Sequence, residues 1–527
     1  MRFPELVTCA RLRWIVPLAA LAGYAFCCLF LWAESEWRPE WDGALYILVG
    51  RSLALGEGYR YLGEPFLLRP PGMPWLISLL FPDGVFDPAV MNRVLMGFAA
   101  TAVAAIWFSV RVQYGTWIAL GVALLVGTNP VFVRLFNFVF TEFPFLTLLF
   151  LSFGCLQFAA RRSSSWVLWA VAGALTMSAA FYVRAVTLLA LPGVLLVGLT
   201  QDRGRQRWRA LLPLAVIGVL LLPWELYAWA ATLVAEVPED QLLAFDYSSI
   251  AFRVDPGDPA SRWLSGPEWL ERIDRNGLTL LGEITTGTLG EVATVAMGGS
   301  SRWLQAGLVV VWLCGFGWAV RWRASIQEWF ALAYTALVVT YFVYSFRLVT
   351  PLLPFTYLYV LAAIAAFGGV LARRWPRLRP GASLPAVAFV LMFSANLWAL
   401  PNHLDLARWG SLGTRLLRSY GDIQRLSVWI KENTPPDATL MCSRAPVQSV
   451  LTGRTAYTYR FLHRFPSEPM YFERYQPDYV FFDIMIPESF KVQRRVATRF
   501  DLLTRLDSSY GPESLLVYAP PPGAAPR

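Results

Sequence analysis

Charged residues are scarce in this sequence. Asp, Glu, Lys and Arg make up 15% of its 527 residues, whereas soluble domains carry roughly 25%. That shortage excludes an ordinary soluble domain. Hydrophobic residues make up 56% of the chain, so the composition is that of a polytopic membrane protein.

Histidine and paired cysteine are also scarce. The two His, His403 and His463, lie far apart in the sequence, which favours polar surface side chains over a shared metal site. The six Cys include no CxxC pair, so neither a zinc site nor a disulfide framework is indicated. The formal charge of +9 does not indicate nucleic-acid binding, because the Arg residues fall in short clusters between apolar runs.

Long apolar runs are what the sequence has instead, and they predict about eleven transmembrane helices of roughly 17–25 residues. No small-x-small cleavage site follows the first run, so we interpret it as a retained helix rather than a signal peptide. The predicted spans are Trp14–Trp32, Val90–Val110, Trp117–Val133, Phe143–Ala159, Trp166–Tyr182, Val186–Leu199, Leu211–Ala231, Trp303–Val320, Trp329–Tyr344, Pro351–Leu371 and Leu384–Leu400.

Short basic clusters between the spans predict the orientation. If the spans alternate, every cluster falls on the same side, and the positive-inside rule places that side in the cytoplasm. The expectation is a multi-pass protein of the cytoplasmic (inner) membrane with a cytoplasmic N-terminus. The clusters are Arg11/Arg13, Arg111, Arg161/Arg162, Arg203/Arg205/Arg207/Arg209, Arg321/Arg323 and Arg373/Arg374/Arg377/Arg379.

Three longer segments then lie outside the membrane. Within a transmembrane module of residues 1–400, residues 33–89 form a first outer loop with surface helices, and residues 232–302 form a large second loop. In the tail, residues 401–527, charge returns and helix and strand patterns alternate. "YGDIQRLSVWIKEN" predicts a helix, and "PDYVFFDIM" and "SLLVYAP" predict strands. We therefore expect a small C-terminal extracytoplasmic α/β domain.

The first outer loop has more features than a connection needs. "WDGALYILVGRSLAL" predicts an amphipathic helix on the membrane surface, with Asp42 and Tyr46 on one face because they are four residues apart. "GEGY" predicts a turn before Tyr59, and Arg69 follows just before "PPG". "LISLLF" is too short to cross and is predicted to lie along the interface. An acidic residue, Asp42, and a basic residue, Arg69, are thus predicted to lie at the level of the membrane surface.

More ionisable residues lie at the outer ends of predicted spans. Glu142, in "TEFPFL", directly precedes an apolar run, where a charge is costly and marks a functional candidate. Arg184 and Arg347 lie at outer ends where the orientation bias does not require Arg. Taken alone, Asp42 would most often be a solvated surface acid. Two acids and several Arg at one level predict a site for an acceptor nucleophile and an anionic leaving group.

These motifs resemble those of the membrane glycosyltransferases of the GT-C superfold, which use a lipid-phosphate donor. The branch most similar to this sequence contains the aminoarabinose and protein O-mannosyl transferases (glycosyltransferase family 39-like). The resemblance rests on Asp42, Tyr46, "GEGY", Arg69 and "RPPGMPW", followed by "TEFPFLTLLFLS", "GALTMSAAFYVRAV", "RLVTPLLPF" and "WIKENTPPDATLMCS". Many members have a second acid directly after the first, where this chain has Gly43. That departure weakens a metal-binding version of the site.

The resemblance implies an inverting transfer of a sugar from a polyprenyl-phosphate carrier to a glycan, lipid or protein acceptor on the outer face of the membrane. Asp42 would be the general base. Glu142 would position the sugar or acceptor, or share the role of base. No cofactor is implied with certainty, and a divalent cation at Asp42 and Glu142 remains an alternative.

The same resemblance implies how the donor is held. Arginine side chains would bind the phosphate, whose charge grows as the glycosidic bond breaks. The polyprenyl tail would lie in an apolar groove between spans. The residues expected to bind substrate are Tyr46, Tyr59, Arg69, Arg184 and Arg347.

A transporter or flippase for a lipid-linked sugar is the alternative function. Transporters usually have paired repeats with interrupted helices near the membrane midplane. The sequence shows no such repeat, and its candidate charges cluster at one surface. We therefore favour the enzyme.

The second outer loop is too long for a simple connection. "PEWLERI" predicts a short amphipathic helix that starts at Glu268, and Pro256, Gly257 and Pro259 predict a turn before it. Because this loop and the first lie on the same face, it is expected to cover the site. It would act either as a lid that orders on substrate binding or as a rigid cover.

Overall fold

A computed structural model describes most of the chain. It covers residues 11–160, 164–201, 211–234, 252–254, 262–289, 302–323, 325–341, 346–375, 380–409, 413–458, 475–482, 493, 496–498, 500–508 and 511–520. The predicted turn at Pro256–Pro259, His463 and the cluster Arg203/Arg205/Arg207/Arg209 lie outside the described residues.

Helices dominate the first 409 residues. Short 3₁₀ helices over Ala185–Ala190 and Phe346–Leu352 connect neighbouring α-helices, and a π-helical segment over Cys27–Trp32 continues the first one. In chain order the α-helices are α1 (Leu12–Phe26), α2 (Trp41–Ala54), α3 (Gly72–Leu80), α4 (Pro88–Tyr114), α5 (Thr116–Gly127), α6 (Pro130–Val133), α7 (Glu142–Ala160), α8 (Trp166–Val183), α9 (Leu191–Gln201), α10 (Leu211–Val234), α11 (Gly266–Leu289), α12 (Arg302–Arg323), α13 (Ile326–Thr340), α14 (Leu353–Arg374) and α15 (Pro380–Trp409).

Each predicted span overlaps at least one of these helices, although the span predicted over Trp117–Val133 is broken between α5 and α6. Among the described residues, 7 helices are long and apolar enough to cross a membrane, and four shorter apolar helices occupy the remaining predicted spans. The four shorter segments are Thr116–Gly127, Ala185–Val197, Gln305–Arg321 and Ile326–Thr340. The chain is therefore a polytopic α-helical membrane protein, as its composition predicts.

Aromatic residues fill the centre of the helical bundle. Phe150 and Phe153 of α7, Phe330 of α13 and Phe355 of α14 are fully buried, with ring centroids of contacting pairs 5.6–6.1 Å apart. The outward faces carry exposed apolar side chains such as Leu168, which is 68% exposed. This arrangement suits a bundle whose surroundings are lipid rather than water.

The first outer loop folds into α2, a short hairpin and α3. The hairpin pairs β1 (Arg60–Tyr61) with β2 (Glu64–Pro65) antiparallel. The helices predicted for "WDGALYILVGRSLAL" and "LISLLF" are thus both present.

The expectation that α2 has one apolar face is wrong, and its place at the membrane surface remains a prediction. Its buried residues occur all around the helix, because α3 packs on one side and the C-terminal region on another. They are Gly43, Ala44, Leu45, Tyr46, Ile47, Val49, Gly50 and Ser52. α2 is enclosed by protein, so its position is set by tertiary packing rather than by lipid.

The C-terminal region contains a mixed sheet, as the alternating patterns predict. Helix α16 (Gly413–Asn433) precedes β3 (Leu440–Cys442), and α17 (Ala445–Thr452) connects β3 to β4 (Ala456–Thr458). The remaining strands are β5 (Tyr479–Phe482), β6 (Asp501–Ser508) and β7 (Gly511–Ala519). The strand order is β4-β3-β5-β7-β6, with β3 parallel to β4 and β5, and β7 antiparallel to β5 and β6.

The C-terminal region packs directly onto α2. Val447 of α17 and Ile423 of α16 are fully buried in one hydrophobic cluster with Tyr46 and Ile47 of α2. Helix α2 therefore lies between the membrane bundle and the C-terminal sheet. The domain boundary at residues 400/401 remains a prediction.

Candidate active site

Five predicted site residues meet at one place although they come from distant parts of the chain. Each lies at the end of an element or in the turn beside one, so its side chain can reach a common centre. Asp42 lies in the first turn of α2, Glu142 begins α7, Arg184 follows α8, Arg69 precedes α3, and Arg347 lies in the 3₁₀ helix before α14.

Two arginines hold the carboxylate of Asp42, one on each oxygen. Arg69 Nη2 donates to Oδ1 at 2.7 Å, and Arg347 Nη1 donates to Oδ2 at 2.6 Å. The Asp42 side chain is 21% exposed. It is the more accessible of the two acids at the site.

Glu142 is also held by two arginines but is closed to solvent. Arg347 donates to it twice, from Nε to Oε1 at 2.8 Å and from Nη2 to Oε2 at 3.2 Å. Arg184 Nη1 donates to Oε1 at 2.9 Å. The Glu142 side chain is 1% exposed. Arg347 therefore bridges both acids, and it also lies 3.6 Å from the ring centroid of Phe140.

Among the residues that the structure describes, the network has one more positive than negative charge, because three arginines face two carboxylates. A surplus of buried guanidinium charge attracts an anion such as a phosphate. All four carboxylate oxygens of Asp42 and Glu142 accept from arginine. A divalent cation at these acids would have to displace those arginines. The two carboxylates, as the arginines hold them here, therefore do not fit as ligands of a cation.

Electrostatics keep Asp42 ionised. Burial raises the pKa of its carboxyl, but the Arg69 and Arg347 guanidiniums outweigh that effect and hold the pKa well below its usual range. Burial lowers the pKa of Arg69, and Asp42 and Tyr46 more than restore it. Both members of this pair are therefore charged at neutral pH.

The two tyrosines predicted to bind substrate both contact Arg69. Arg69 Nη1 donates to the Tyr46 hydroxyl, so Asp42 and Tyr46 meet the same guanidinium from one face of α2. The Tyr59 hydroxyl donates to the Arg69 backbone carbonyl at 2.8 Å, and its ring packs on Phe66 and Trp224. Tyr59 thus fixes the backbone of Arg69 and does not contact its guanidinium through this bond. A direct contact of either tyrosine with substrate remains a prediction.

The residue after Asp42 is glycine for a steric reason. A Cβ at position 43 would lie 3.0 Å from the Val139 carbonyl oxygen and 3.2 Å from the Val139 Cβ. The segment before α7 crosses α2 at this point, so a second acid would be crowded and would fit only if Val139 shifted.

The Pro-Pro-Gly turn serves a close contact. A Cβ on Gly72 would lie 2.6 Å from the Tyr182 carbonyl oxygen, at the end of α8. Only glycine lets the start of α3 approach α8 this closely. The contact brings the turn that carries Arg69 next to the helix end that carries Arg184. A plain connection between two spans would need none of this.

Tyr341 is a residue of the site that sequence reasoning missed. It follows α13 and lies among the charges of Asp42, Arg69, Arg184 and Arg347, and burial raises the pKa of its phenol. It lies inside the predicted span Trp329–Tyr344, and nothing in the sequence marks it as a site residue. Its proximity to the other residues depends on how the helices pack.

The described part of the second outer loop is a packed helix. The predicted helix at Glu268 is present, but it is long rather than short, with 24 residues in α11. Leu280 of α11 is 3% exposed and belongs to the main core, and Arg262 pairs with Glu268 at 2.5 Å near its start. For residues 262–289 both the lid and the rigid cover stay predictions. Most of the remaining loop lies outside the described residues, and the lid there stays a prediction.

Among the residues that the structure describes, no group of three or more His, Cys, Asp or Glu could hold a metal ion. The arginine-rich network beside α2 is therefore the candidate site.

The chain has a GT-C type of fold, as comparison with solved structures shows. No family model and no curated protein matches the sequence. The fold is nevertheless similar to that of ArnT from Cupriavidus metallidurans bound to undecaprenyl phosphate, with a TM-score of 0.56 and 13% identity over 97% of this chain and 98% of that one. It is also similar to the oligosaccharyltransferase of Archaeoglobus fulgidus tethered to an acceptor peptide, with a TM-score of 0.53 and 12% identity over 90% of this chain and 69% of that one.

Proposed function

We propose that this protein is a membrane glycosyltransferase that moves a sugar from a polyprenyl-phosphate carrier to an acceptor hydroxyl or amide at the outer face of the cytoplasmic membrane. The observation that carries the proposal is the network of Asp42, Glu142 and three arginines. It combines an accessible carboxylate with surplus positive charge, and these are the two things that transfer from a sugar phosphate requires.

Asp42 is the general base in this proposal. It has to accept a proton from the acceptor while the acceptor attacks the anomeric carbon. Its partial exposure and its place at the start of α2 let an acceptor approach. Glu142 is too buried to meet an acceptor, so its role is to orient the guanidiniums of Arg347 and Arg184.

The arginines bind the phosphate of the donor. Negative charge grows on the leaving phosphate as the glycosidic bond breaks, and a guanidinium already in place stabilises it without reorganisation. Arg69 and Arg347 are the better placed, because each also contacts the base. When the phosphate enters, it competes with Asp42 for these two side chains. Attack from the face opposite the phosphate inverts the anomeric configuration.

The fold supports a lipid-linked donor. The structures with a similar fold include ArnT bound to undecaprenyl phosphate and the archaeal oligosaccharyltransferase AglB in complex with dolichol phosphate. The apolar bundle of this chain offers hydrocarbon surface beside the charged site, which suits a donor with a charged head and a long apolar tail. The positive-inside pattern supports the outer face and the cytoplasmic N-terminus. The acceptor is a glycan, lipid or protein.

A direct assay tests the proposal. The purified protein in lipid nanodiscs is incubated with a panel of polyprenyl-phosphate sugars, hexoses and pentoses, and with acceptors extracted from membranes. Transfer should release the polyprenyl phosphate in step with loss of the sugar-linked donor, and the Asp42→Asn variant should not release it. Binding of the donor without release, by wild type under all acceptors, combined with its movement across the bilayer, would instead identify a flippase.

A further inference from the structure

The arginine that bridges the two acids lies over the ring of Phe140. The guanidinium carbon of Arg347 is 3.6 Å from the centroid of that ring. The other two arginines of the site also lie over aromatic rings, but their distances to the ring centroids are longer, 5.2 Å and 5.5 Å. The closest of the three contacts thus belongs to the arginine that holds both carboxylates.

The contact leaves every N–H group of Arg347 available for hydrogen bonds. A distance of 3.6 Å is van der Waals contact between carbon atoms. The guanidinium therefore lies with its face on the ring, because N–H groups pointing at the ring would hold the carbon farther away. Its donors lie in its plane, so Nε, Nη1 and Nη2 can still reach Asp42 and Glu142, as they do.

The segment before α7 holds the Phe140 ring without help from Arg347. Phe140 is 6% exposed, and its ring stacks on that of Phe138 with centroids 5.1 Å apart and an angle of 7° between the planes. At the start of this segment Asn137 has a φ of 62°. Its side chain donates to the Trp32 carbonyl and accepts from the Glu34 amide, each at 3.0 Å. The ring is therefore a fixed surface on which the guanidinium rests.

This surface matters most when a phosphate enters the site. In the proposed reaction the phosphate competes with Asp42 for Arg347, so Arg347 loses one of the bonds that orient it. Glu142 then holds one edge of the guanidinium through Nε and Nη2, and Phe140 holds one face. Together they keep Nη1, the group that Asp42 releases, in a position from which it can donate to the phosphate.

We propose that Phe140 is a positioning residue for the donor phosphate: its ring face holds the guanidinium of Arg347 in the orientation in which Nη1 can bind the phosphate. This inference rests on the proposed function, since the phosphate is that of a lipid-linked donor. It assigns a role in donor binding to a residue that otherwise belongs to the main hydrophobic core.

Fluorinated phenylalanines in place of Phe140 test the proposal. Fluorine withdraws electron density from the ring face, so mono-, di- and trifluorophenylalanine weaken the attraction for a cation in steps and nearly keep the size of the ring. Affinity for undecaprenyl phosphate in nanodiscs should fall with each fluorine. The loss should reach about tenfold with the trifluoro ring, the order of a partly desolvated cation–π contact.

The matched control is the same series in place of Phe153. This ring is also buried, but it packs on the rings of Phe150 and Phe330 in the centre of the bundle. Fluorination there should leave the affinity unchanged. Losses of the same size at Phe140 and Phe153 would overturn the positioning role, because packing alone would then explain them.

The Arg347→Gln background separates the cation–π contact from other effects of fluorine. With the cation gone, the fluorinated rings at Phe140 should change affinity less than about twofold. Equal losses in this background and in wild type would overturn the positioning role. Binding by wild type together with unchanged affinity across the Phe140 series would overturn it as well, and would leave the proposed function intact. Failure of wild type itself to bind undecaprenyl phosphate would overturn the proposed donor and this inference together.

Discussion

The two acids of the site differ in burial, and this difference separates their roles. Asp42 is partly exposed and Glu142 is closed, yet each has two arginine partners. An exposed acid can exchange partners with an incoming ligand. Removing the charge of a buried acid such as Glu142 takes a partner away from a guanidinium inside the protein, and that is strongly destabilising.

Substitutions of the two acids should therefore separate activity from stability. Asp42→Asn should fold like wild type and lose transfer by about 10²–10⁴-fold, the usual loss for a general base. Glu142→Gln should lose activity and also lower the thermal unfolding midpoint in detergent by clearly more than Asp42→Asn does. Turnover assays and unfolding curves of the same preparations measure both. Near-normal turnover by Asp42→Asn would remove Asp42 from the role of base.

Arg69 should contribute to donor binding as well as to rate, since a phosphate contact acts in the ground state and in the transition state. Arg69→Ala should raise the KM for the donor and lower kcat. Arg69→Lys should recover part of the loss, because it keeps the charge but cannot contact Asp42 and Tyr46 together. Unchanged donor affinity in Arg69→Ala would move the phosphate contact to Arg347 or Arg184.

The pH dependence follows from the lowered pKa of Asp42. A carboxyl whose pKa lies below its ordinary value near 4 stays ionised throughout the range from about pH 5 to 8. The value of kcat/KM reports on the free enzyme, so it should show no acidic limb in this range. A limb with an apparent pKa near 6 that disappears in Asp42→Asn would show that Asp42 is not held ionised by its arginines.

At the residue scale, the sequence predicts those site residues that their charge and their position beside an apolar span make unusual. Asp42, Glu142 and the three arginines are ionisable groups where the membrane makes charge costly, and they do meet. Tyr341 could not be predicted this way. A tyrosine near the end of a predicted span is an ordinary residue, and only the packing of the helices brings it near the charged residues of the site.

At the scale of elements, the approach of α3 to the end of α8 determines how Arg69 and Arg184 are spaced. Gly72→Ala places a methyl group 2.6 Å from the Tyr182 carbonyl oxygen, and a backbone atom cannot rotate away. The substitution should destabilise the fold by about 1–3 kcal/mol, as overpacking does, and should lower transfer. Thermal unfolding and turnover measure the two effects.

The matched control for Gly72 is Gly277→Ala in α11, where an added Cβ meets no atom within 4 Å. This variant should keep wild-type stability and activity. If Gly72→Ala and Gly277→Ala had the same unfolding midpoint and the same turnover, the close α3–α8 contact would not be needed for stability or activity.

Helix α2 shows that a hydrophobic pattern predicts a helix but not what the helix packs against. Its position along the chain was predictable from the apolar spacing, but its surroundings were not. An apolar face looks the same in sequence whether it lies against lipid or against protein. In this chain the C-terminal region covers α2 with protein, and its residues are far from α2 in the sequence.

At the scale of the whole molecule, the C-terminal region and the membrane bundle both contact α2, the helix that carries Asp42, the proposed base. Val447→Asp would place a charge in the cluster formed with Tyr46 and Ile47, and burying an unpaired charge is costly. The variant should lower transfer while the membrane spans stay folded. Val428→Asp on α16, where the wild-type side chain is 53% exposed, should behave like wild type.

Hydrogen exchange with mass spectrometry distinguishes the outcomes for Val447→Asp. Faster exchange in α2 together with unchanged exchange in α7 and α14 would be the expected result. Full activity in spite of faster exchange in α17 would show that the C-terminal region does not support the site.

The pairing of Glu142 with Arg347 also has a consequence for how the protein is made. Ribosomes complete α7 long before they reach Arg347, since the two residues are 205 positions apart. During that interval the carboxylate lies at the membrane with Arg184 as an earlier partner, and the bridge to Asp42 does not yet exist. A chain released before Arg347 keeps both acids without the guanidinium that bridges them. Such a chain has one arginine for each carboxylate, so the surplus positive charge that attracts an anion arises only when Arg347 has been added.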